Sequence, residues 1–413
     1  MTYTTPRTGR VALVSEHANP LAPLGGADAG GQNVYVAQLA AHLARRGYDV
    51  TVYTRRDSPD PPALVRTRDG VKVVHVPAGP PTVVPKDALL RHMPDFGARL
   101  ARMWRLARPD VVHAHFWMSG LASLTGVRGL GIPLVQTYHA LGTVKRRYQG
   151  SEDTSPRERV AIEKHVGRTC DRIIATCADE VAELVAMGLP RDRVSVVPCG
   201  VDTVHFTPAP TAARPPSAPR RLLAVGRLVP RKGFDRAVRA LASVPDAELL
   251  IAGGPGAGLL FADPEAERLR KTAEEYGVAD RVQMLGCVPH DEMPRLMSDA
   301  DLVLSLPRYE PFGIVPIEAM ACGTPVVATA VGGQLDTVVD GVTGVLVPPA
   351  DDPGHDLGAT VRALLDDPDR LSRYGTAGRA HALARYGWEH VTDGVARVYA
   401  GLITAPTLTE VTR

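Results

Sequence analysis

An α/β architecture of two doubly wound domains is predicted by three observations. Short runs rich in Val, Ile and Leu alternate with longer Ala-, Leu- and Arg-containing segments, the pattern of parallel strands joined by helices. The alternation runs twice, interrupted over 206–220 by a Pro- and Ala-rich stretch, nearly free of large apolar residues, that reads as an interdomain linker. At 413 residues the chain suits two cores of roughly 200 residues each better than a single one.

The first series places strands near 10–15, 49–54, 71–76, 110–114, 132–136, 172–176 and 194–197. The second places them near 221–226, 248–252, 282–285, 301–304 and 325–329. A helix is expected over 34–45, and the segment from Tyr386 to Tyr399 is amphipathic enough to close the chain as a returning helix, with a frayed end over 406–413. The expected domains are therefore 1–205 together with 388–413, and 221–387. The halves share architecture but no sequence repeat. In open sheets of this kind ligands sit at the carboxyl ends of the strands, here in the cleft where the two domains face each other.

Composition narrows the function classes. Hydrophobic residues make up 45% of the chain and the net charge is +2 with acids and bases scattered, so no basic face argues for nucleic acid. The first apolar run, Val11 to Val14, is too brief for a signal peptide or a span, which gives a cytoplasmic protein with no membrane partner. The five cysteines are widely spaced, fitting reduced thiols, and no Cys/His grouping has zinc spacing, so no metal is expected.

The segment Gly226-Arg227-Leu228-Val229-Pro230-Arg231-Lys232-Gly233 follows the first strand of the second domain, and Glu310-Pro311-Phe312-Gly313-Ile314-Val315-Pro316-Ile317-Glu318 comes about eighty residues later. Arg227 offers phosphate oxygens a planar fork and Lys232 a point charge, while Glu310 and Glu318 can accept hydrogen bonds from hydroxyls. This is equipment for a diphosphate joined to a sugar. Pro311 holds Glu310 extended, Gly313 permits close backbone approach, and Pro316 suits the first turn of a helix that ends by Gly323 and Pro325. Glu310 therefore precedes the helix and Glu318 rides on it, with the backbone around Phe312, Gly313 and Ile314 open to a hydroxyl or phosphate. Gly332-Gly333 and the 341–344 segment read as turns without a chemical role.

In the first domain a glycine-rich turn over 25–33, including Gly30 and Gly31, lets backbone amides approach an anion at a helix start, with Asn33 as a cap. Its spacing does not match a dinucleotide fingerprint. His115 with Phe116, and His139, end two successive strands and so face a crevice, whereas His113 points to the opposite face and packs. Trp117 suits either a platform under a sugar ring or the core.

These residues resemble the retaining, nucleotide-sugar-dependent enzymes of glycosyltransferase family 4 over nearly the whole chain, most strongly in 226–233 and 310–318 and next in Asp28-Ala29-Gly30-Gly31-Gln32-Asn33. The resemblance implies the GT-B fold, a nucleotide-diphosphate sugar as co-substrate with no cofactor or obligatory metal, and transfer with retention. It assigns Arg227 and Lys232 to the pyrophosphate, Glu318 to the ribose, and Glu310 with the Phe312, Gly313 and Ile314 backbone to the donor sugar. Gly30 and Gly31 fall over the phosphates and His139 beside the reacting sugar. The first half looks most like the inositol-phosphate glycosyltransferases of mycothiol synthesis, then like sucrose and sucrose-phosphate synthases. Lys86, Lys145 and Arg159, with His115 and Phe116, lie where an acceptor would be held. Phe116 stands in place of a tyrosine and Ala140 in place of a threonine, so two hydroxyls for an acceptor phosphate are missing. The expected acceptor is a small polar molecule such as a sugar, cyclitol, sugar phosphate or specialised metabolite, in a bacterial monomer or homodimer. Inositol phosphate remains the alternative acceptor. A GT-B phosphorylase would need a lysine placed for pyridoxal phosphate, and none is persuasive; a non-catalytic nucleotide-binding protein would not require His139.

Overall fold

The apolar runs become parallel strands buried on both faces, as strands covered by helices on each side must be. A computed structural model describes residues 9–22, 31–210, 214–215, 217–349 and 355–403. The chain divides into two compact units, the first comprising the described residues up to Thr176, Val181–Val197 and those from Val391 onward, the second Cys177–Glu180 and Pro198–His390.

The first unit contains β1 (Arg10–Val14), β2 (Asp49–Arg55), β3 (Leu64–Arg66), β4 (Lys72–Val76), β5 (Val111–His115), β6 (Leu134–Thr137), β7 (Arg172–Ala175) and β8 (Val194–Val196). They form one sheet in the order β3-β4-β2-β1-β5-β6-β7-β8, parallel except for β3 against β4. The three-residue β3 escapes the sequence pattern because two of its residues are exposed and its pairing is supplied by β4. The order reverses direction between β1 and β5, where open sheets present their binding crevice.

The second unit contains β9 (Arg220–Val225), β10 (Ala247–Ala252), β11 (Val282–Gly286), β12 (Leu302–Ser305), β13 (Val326–Thr329) and β14 (Gly344–Val347), ordered β11-β10-β9-β12-β13-β14 and all parallel. Its switch point lies between β9 and β12. The sixth strand is a departure from the sequence reading. The turn is present, closed by Gly341 N–H donating to the Gly344 carbonyl at 2.9 Å, but it runs straight into an edge strand paired with β13. Leu222, Ala224, Leu249, Ile251, Leu302 and Leu304 from the sheet pack with Phe234, Val238, Leu241 and Leu269 from its helices into one core. Helix starts follow elementary capping chemistry: Asp263 accepts from the amides of Glu265 and Ala266, with Pro264 in the first turn.

Two further readings are refined. The described part of 206–220 is fastened to the second unit, Ala209 N–H bonding Ser298 Oγ at 3.0 Å and Arg214 bonding the Asp301 carboxylate at 2.5 Å. The closing helix expected from about Tyr386 to Tyr399 is Trp388–Ala400, and a second helix, Pro368–Tyr386, precedes it across Gly387.

Tyr399 fastens the last helix into the first unit. Its hydroxyl is 2.7 Å from His113 Nδ1, whose Nε2 is 2.9 Å from Thr137 Oγ1, and all three residues are fully buried. His113 packs in the interior as expected, but not on the opposite face of β5: residues two apart on a strand share a face, and its ring lies 4.2 Å from that of His115. Tyr399→Phe removes one buried hydrogen bond and leaves a ring nitrogen without its partner, so a loss of about 1–2 kcal/mol in urea unfolding is expected. An unchanged midpoint would show that the bond contributes nothing.

Candidate active site

In the second unit the two sequence motifs meet at the sheet's switch point. Gly226 follows β9, Arg227 is exposed, and a single tight turn, Pro230–Lys232, carries the lysine back before Gly233 starts the helix Phe234–Leu241 at φ 70°. Glu310 follows the neighbouring strand β12, and its Oε2 lies 2.5 Å from Lys232 Nζ. Burial alone would raise the Glu310 carboxyl, but Lys232, with Arg231 and Arg227 behind it, outweighs burial and holds it below its ordinary value. Glu318, on the helix Ile314–Ala321, has no bonded cation among the described residues. Burial pushes it up to about 8, with Lys232 only partly offsetting the rise. One lysine therefore influences two carboxylates in different protonation states.

Arg231 joins this group, although the motif alone does not single it out. The coupling of Arg231 to Glu310 comes through the fold, although its place in the same basic turn was visible in the sequence. The Gly332-Gly333 turn proves structurally exacting. Gly333 N–H donates to the Glu310 carbonyl at 2.9 Å, and a Cβ at Gly332 would stand 2.1 Å from that oxygen. Gly313 adopts φ 88° at the helix start, and Cys177 Sγ lies 3.2 Å from the Pro311 carbonyl it bonds. The Phe312 ring is buried against Tyr386, leaving only its backbone for a ligand, next to Ile314 in the first helical position.

In the first unit the candidate residues cluster at the carboxyl ends of β1, β5 and β6. Gly31 opens the helix Gly31–Arg45; Gly30 and the rest of the preceding turn lie outside the described residues. Asn33 does not cap this helix. It sits inside the first turn and donates to the Asn19 carbonyl at 3.0 Å, tying the loop after β1 to the helix. Phe116 (φ 79°) and His139 (φ 61°) are the non-glycine residues with positive φ among the described residues, and they follow adjacent strands. Strained backbone of this kind persists where a site holds it.

His139 is partly buried and its Nε2 is 3.1 Å from Nδ1 of His115. Burial, with a smaller contribution from His17, lowers His139 to about 3, so the ring is neutral. His115 had been expected to touch the acceptor. It is instead fully buried, with its ring against those of His139 and Tyr35. Trp117 is likewise core at 1% exposure, not a platform for a sugar.

The remaining predicted acceptor residues do come together. Lys86 Nζ lies 5.6 Å from the Phe116 ring centre and the Arg159 guanidinium 5.2 Å from it, both within cation–π range. Arg159 is itself buried, paired with Glu163 at 2.8 Å and bonded to the Ala140 carbonyl at 2.7 Å. Lys145 pairs with Asp153 at 3.0 Å and shares Ser155 Oγ with Arg159. His17, held by the buried Glu16 at 2.7 Å, sets its ring edge against Phe116; sequence reading missed it, although it lies just past the end of β1.

Comparison with known proteins supplies the family. Residues 29–205 match the model of Glycosyltransferase Family 4, and residues 210–381 that of Glycosyl transferases group 1. D-inositol 3-phosphate glycosyltransferase 1 of Catenulispora acidiphila is 40% identical over 412 residues, covering 95% of this chain and 96% of its own. This chain belongs to glycosyltransferase family 4. The glycosyltransferase is also 40% identical to the D-inositol 3-phosphate glycosyltransferase of Mycolicibacterium smegmatis, over 96% of this chain and 91% of that one. Among solved structures it resembles the sucrose-phosphate synthase of Thermosynechococcus elongatus, with a TM-score of 0.85, 31% identity, and 95% of this chain and 99% of that one covered. Its two parallel-sheet, Rossmann-like units are those of a GT-B glycosyltransferase. Among the described residues no helix is long and apolar enough to cross a membrane.

Proposed function

We propose that the enzyme transfers a sugar, with retention at the anomeric carbon, from a nucleotide-diphosphate sugar to a small polar acceptor. The observation that carries this is Lys232, bonded to Glu310 and close to Glu318, beside Arg227 and Arg231 at the switch point of the second sheet. An ammonium has three N–H groups, so Lys232 can keep Glu310 while meeting a phosphate oxygen. Arg227 and Lys232 neutralise charge on the departing diphosphate without recourse to a metal, Glu310 orients the transferred sugar, and Glu318 takes the ribose hydroxyls. UDP is favoured, as the commonest base among the enzymes the chain resembles.

Retention proceeds by substitution on the face the leaving group vacates, the departing phosphate taking the acceptor proton. The low basicity of His139 supports this, since a ring that protonates only near pH 3 is a poor general base. The acceptor binds through the first unit. The cations around Phe116 suit an oxygen-rich, small molecule, but Arg159 and Lys145 already face Glu163 and Asp153, which lessens their pull on a free phosphate. A second reading takes D-inositol 3-phosphate as acceptor. The 40% identity to enzymes of that name favours it, and the absence of hydroxyls at Phe116 and Ala140 weighs against it. A cytoplasmic enzyme of bacterial specialised metabolism, monomeric or dimeric, completes the reading.

The test crosses UDP-, GDP-, ADP- and TDP-sugars with sugars, cyclitols, sugar phosphates, D-inositol 3-phosphate and inorganic phosphate, reading product stereochemistry from proton coupling. Efficient turnover with one small hydroxylated acceptor and a retained anomer is expected. An inverted product or a trapped covalent sugar on a side chain overturns the mechanism. Robust transfer to D-inositol 3-phosphate establishes the second reading.

A further inference from the structure

We infer that His115 is a positioning residue that fixes His139 as the Nδ1–H tautomer, making it a hydrogen-bond donor to the bound sugar. The ligand contact rests on the reading above that His139 lies beside the transferred sugar; the tautomer assignment does not.

Four ring nitrogens decide the tautomer. His115 Nδ1 and His139 Nε2 are 3.1 Å apart, a hydrogen bond that needs one proton between two neutral rings. Burial holds both rings well below their ordinary basicity, so neither supplies a second proton. Two arrangements remain. In one, His139 donates from Nε2, and His115 must then carry its own proton on Nε2. That atom is buried and has no hydrogen-bond partner among the described residues. An N–H is a directional donor, and buried donors without an acceptor are rarer in folded proteins than incompletely satisfied acceptors. In the other arrangement His115 donates from Nδ1, its Nε2 carries only a lone pair, and the buried orphan is an acceptor. His139 Nε2 then accepts, which places the His139 proton on Nδ1.

The surroundings prevent escape by ring rotation. The ring of His115 lies tilted at 36° against that of His113 with centroids 4.2 Å apart, and His113 is clamped at both nitrogens by Tyr399 and Thr137. Tyr35 sets its ring against both His115 and His139, at 5.6 and 5.2 Å. His139 is also fixed from its own backbone by φ 61°. Of its two ring nitrogens, Nε2 points into the unit at His115, and Nδ1 has no protein partner among the described residues. The group offered to a ligand is therefore an N–H. It meets a sugar hydroxyl or phosphate oxygen as a donor and cannot accept the acceptor's proton, so His139 steadies the donor substrate and takes no part in proton transfer.

Long-range proton–nitrogen NMR of the ¹⁵N-labelled enzyme tests the tautomer directly. Between pH 6 and 8 both His115 and His139 are expected to show neutral Nδ1–H signatures that do not titrate. An Nε2–H signature at either ring, or titration within that window, overturns the assignment. Substitution tests its consequence. His115→Asn retains an amide N–H near the position of Nδ1 and is expected to keep the His139 signature and kcat within about threefold. His115→Phe keeps a ring but no donor, and is expected to mix the His139 tautomers and lower kcat about tenfold with the acceptor KM unchanged. An unaltered His139 spectrum in His115→Phe would refute the positioning role. If His139→Ala itself leaves turnover unchanged, the contact with the sugar is wrong, whatever the spectra show.

Discussion

Lys232→Ala is expected to lower kcat/KM by about a hundredfold, the loss of roughly 3 kcal/mol of transition-state stabilisation that follows removal of one well-placed charge. Charge builds on the diphosphate as the sugar departs, and the ammonium is held for it by a 2.5 Å bond to Glu310. The same substitution leaves Glu310 in a mostly buried place without its partner, so a stability loss of about 2 kcal/mol should accompany it. The two effects separate in a second variant. Removing Glu310 as well relieves the unpaired carboxylate and should restore much of the stability while activity stays low. Arg227→Ala, at an exposed position, should impair turnover with little change in unfolding. If both single variants kept kcat/KM within twofold, the basic turn would be only a solvated loop.

Nucleotide diphosphate should bind about tenfold more tightly at pH 9 than at pH 7, and Glu318→Gln should flatten that dependence. Without ligand the Glu318 carboxyl protonates near pH 8, because burial disfavours its charge. The ionised form makes the stronger bonds to ribose hydroxyls, so binding favours loss of the proton. Affinity must then rise with pH up to the ligand-free value near 8 and level off above it. The nucleotide's own titration is common to both proteins and cancels in their ratio. Calorimetry at pH 7 in buffers of different ionisation enthalpy should record close to one more proton released with the wild type than with Glu318→Gln. Parallel pH profiles for the two proteins would remove Glu318 from the ribose site. Glu310→Gln offers a contrast, expected to weaken the sugar nucleotide more than the bare diphosphate.

What was legible in the sequence is what local chemistry writes there. The strands of both sheets announce themselves as apolar runs, and the motifs around Arg227 and Glu310 carry their own turn and helix signals, so their place after β9 and β12 could be read directly. Pairings that depend on tertiary structure could not. Nothing near Gly344 says that the turn feeds an edge strand, because a four-residue strand takes its definition from β13. His115 reads as a second strand-end histidine like His139, and only packing distinguishes the one that is fully buried from the one that is partly open. The tight approach of Gly332 and Gly333 to the Glu310 and Phe312 backbone likewise belongs to the fold, since a glycine pair in a sequence signals a turn but not what it touches.

The bond between Lys232 and Glu310 spans 78 residues of chain. The two strands that bring them together are spatial neighbours, yet β10, β11 and their connecting helices lie between them in sequence. Closing so long a loop carries an entropic penalty that local helices and turns do not, and non-local contacts of this kind slow folding. The pair exists only where β9 and β12 lie side by side in the sheet. A nucleotide that recognises the assembled pair binds only the finished domain, and so shifts the folding equilibrium by mass action.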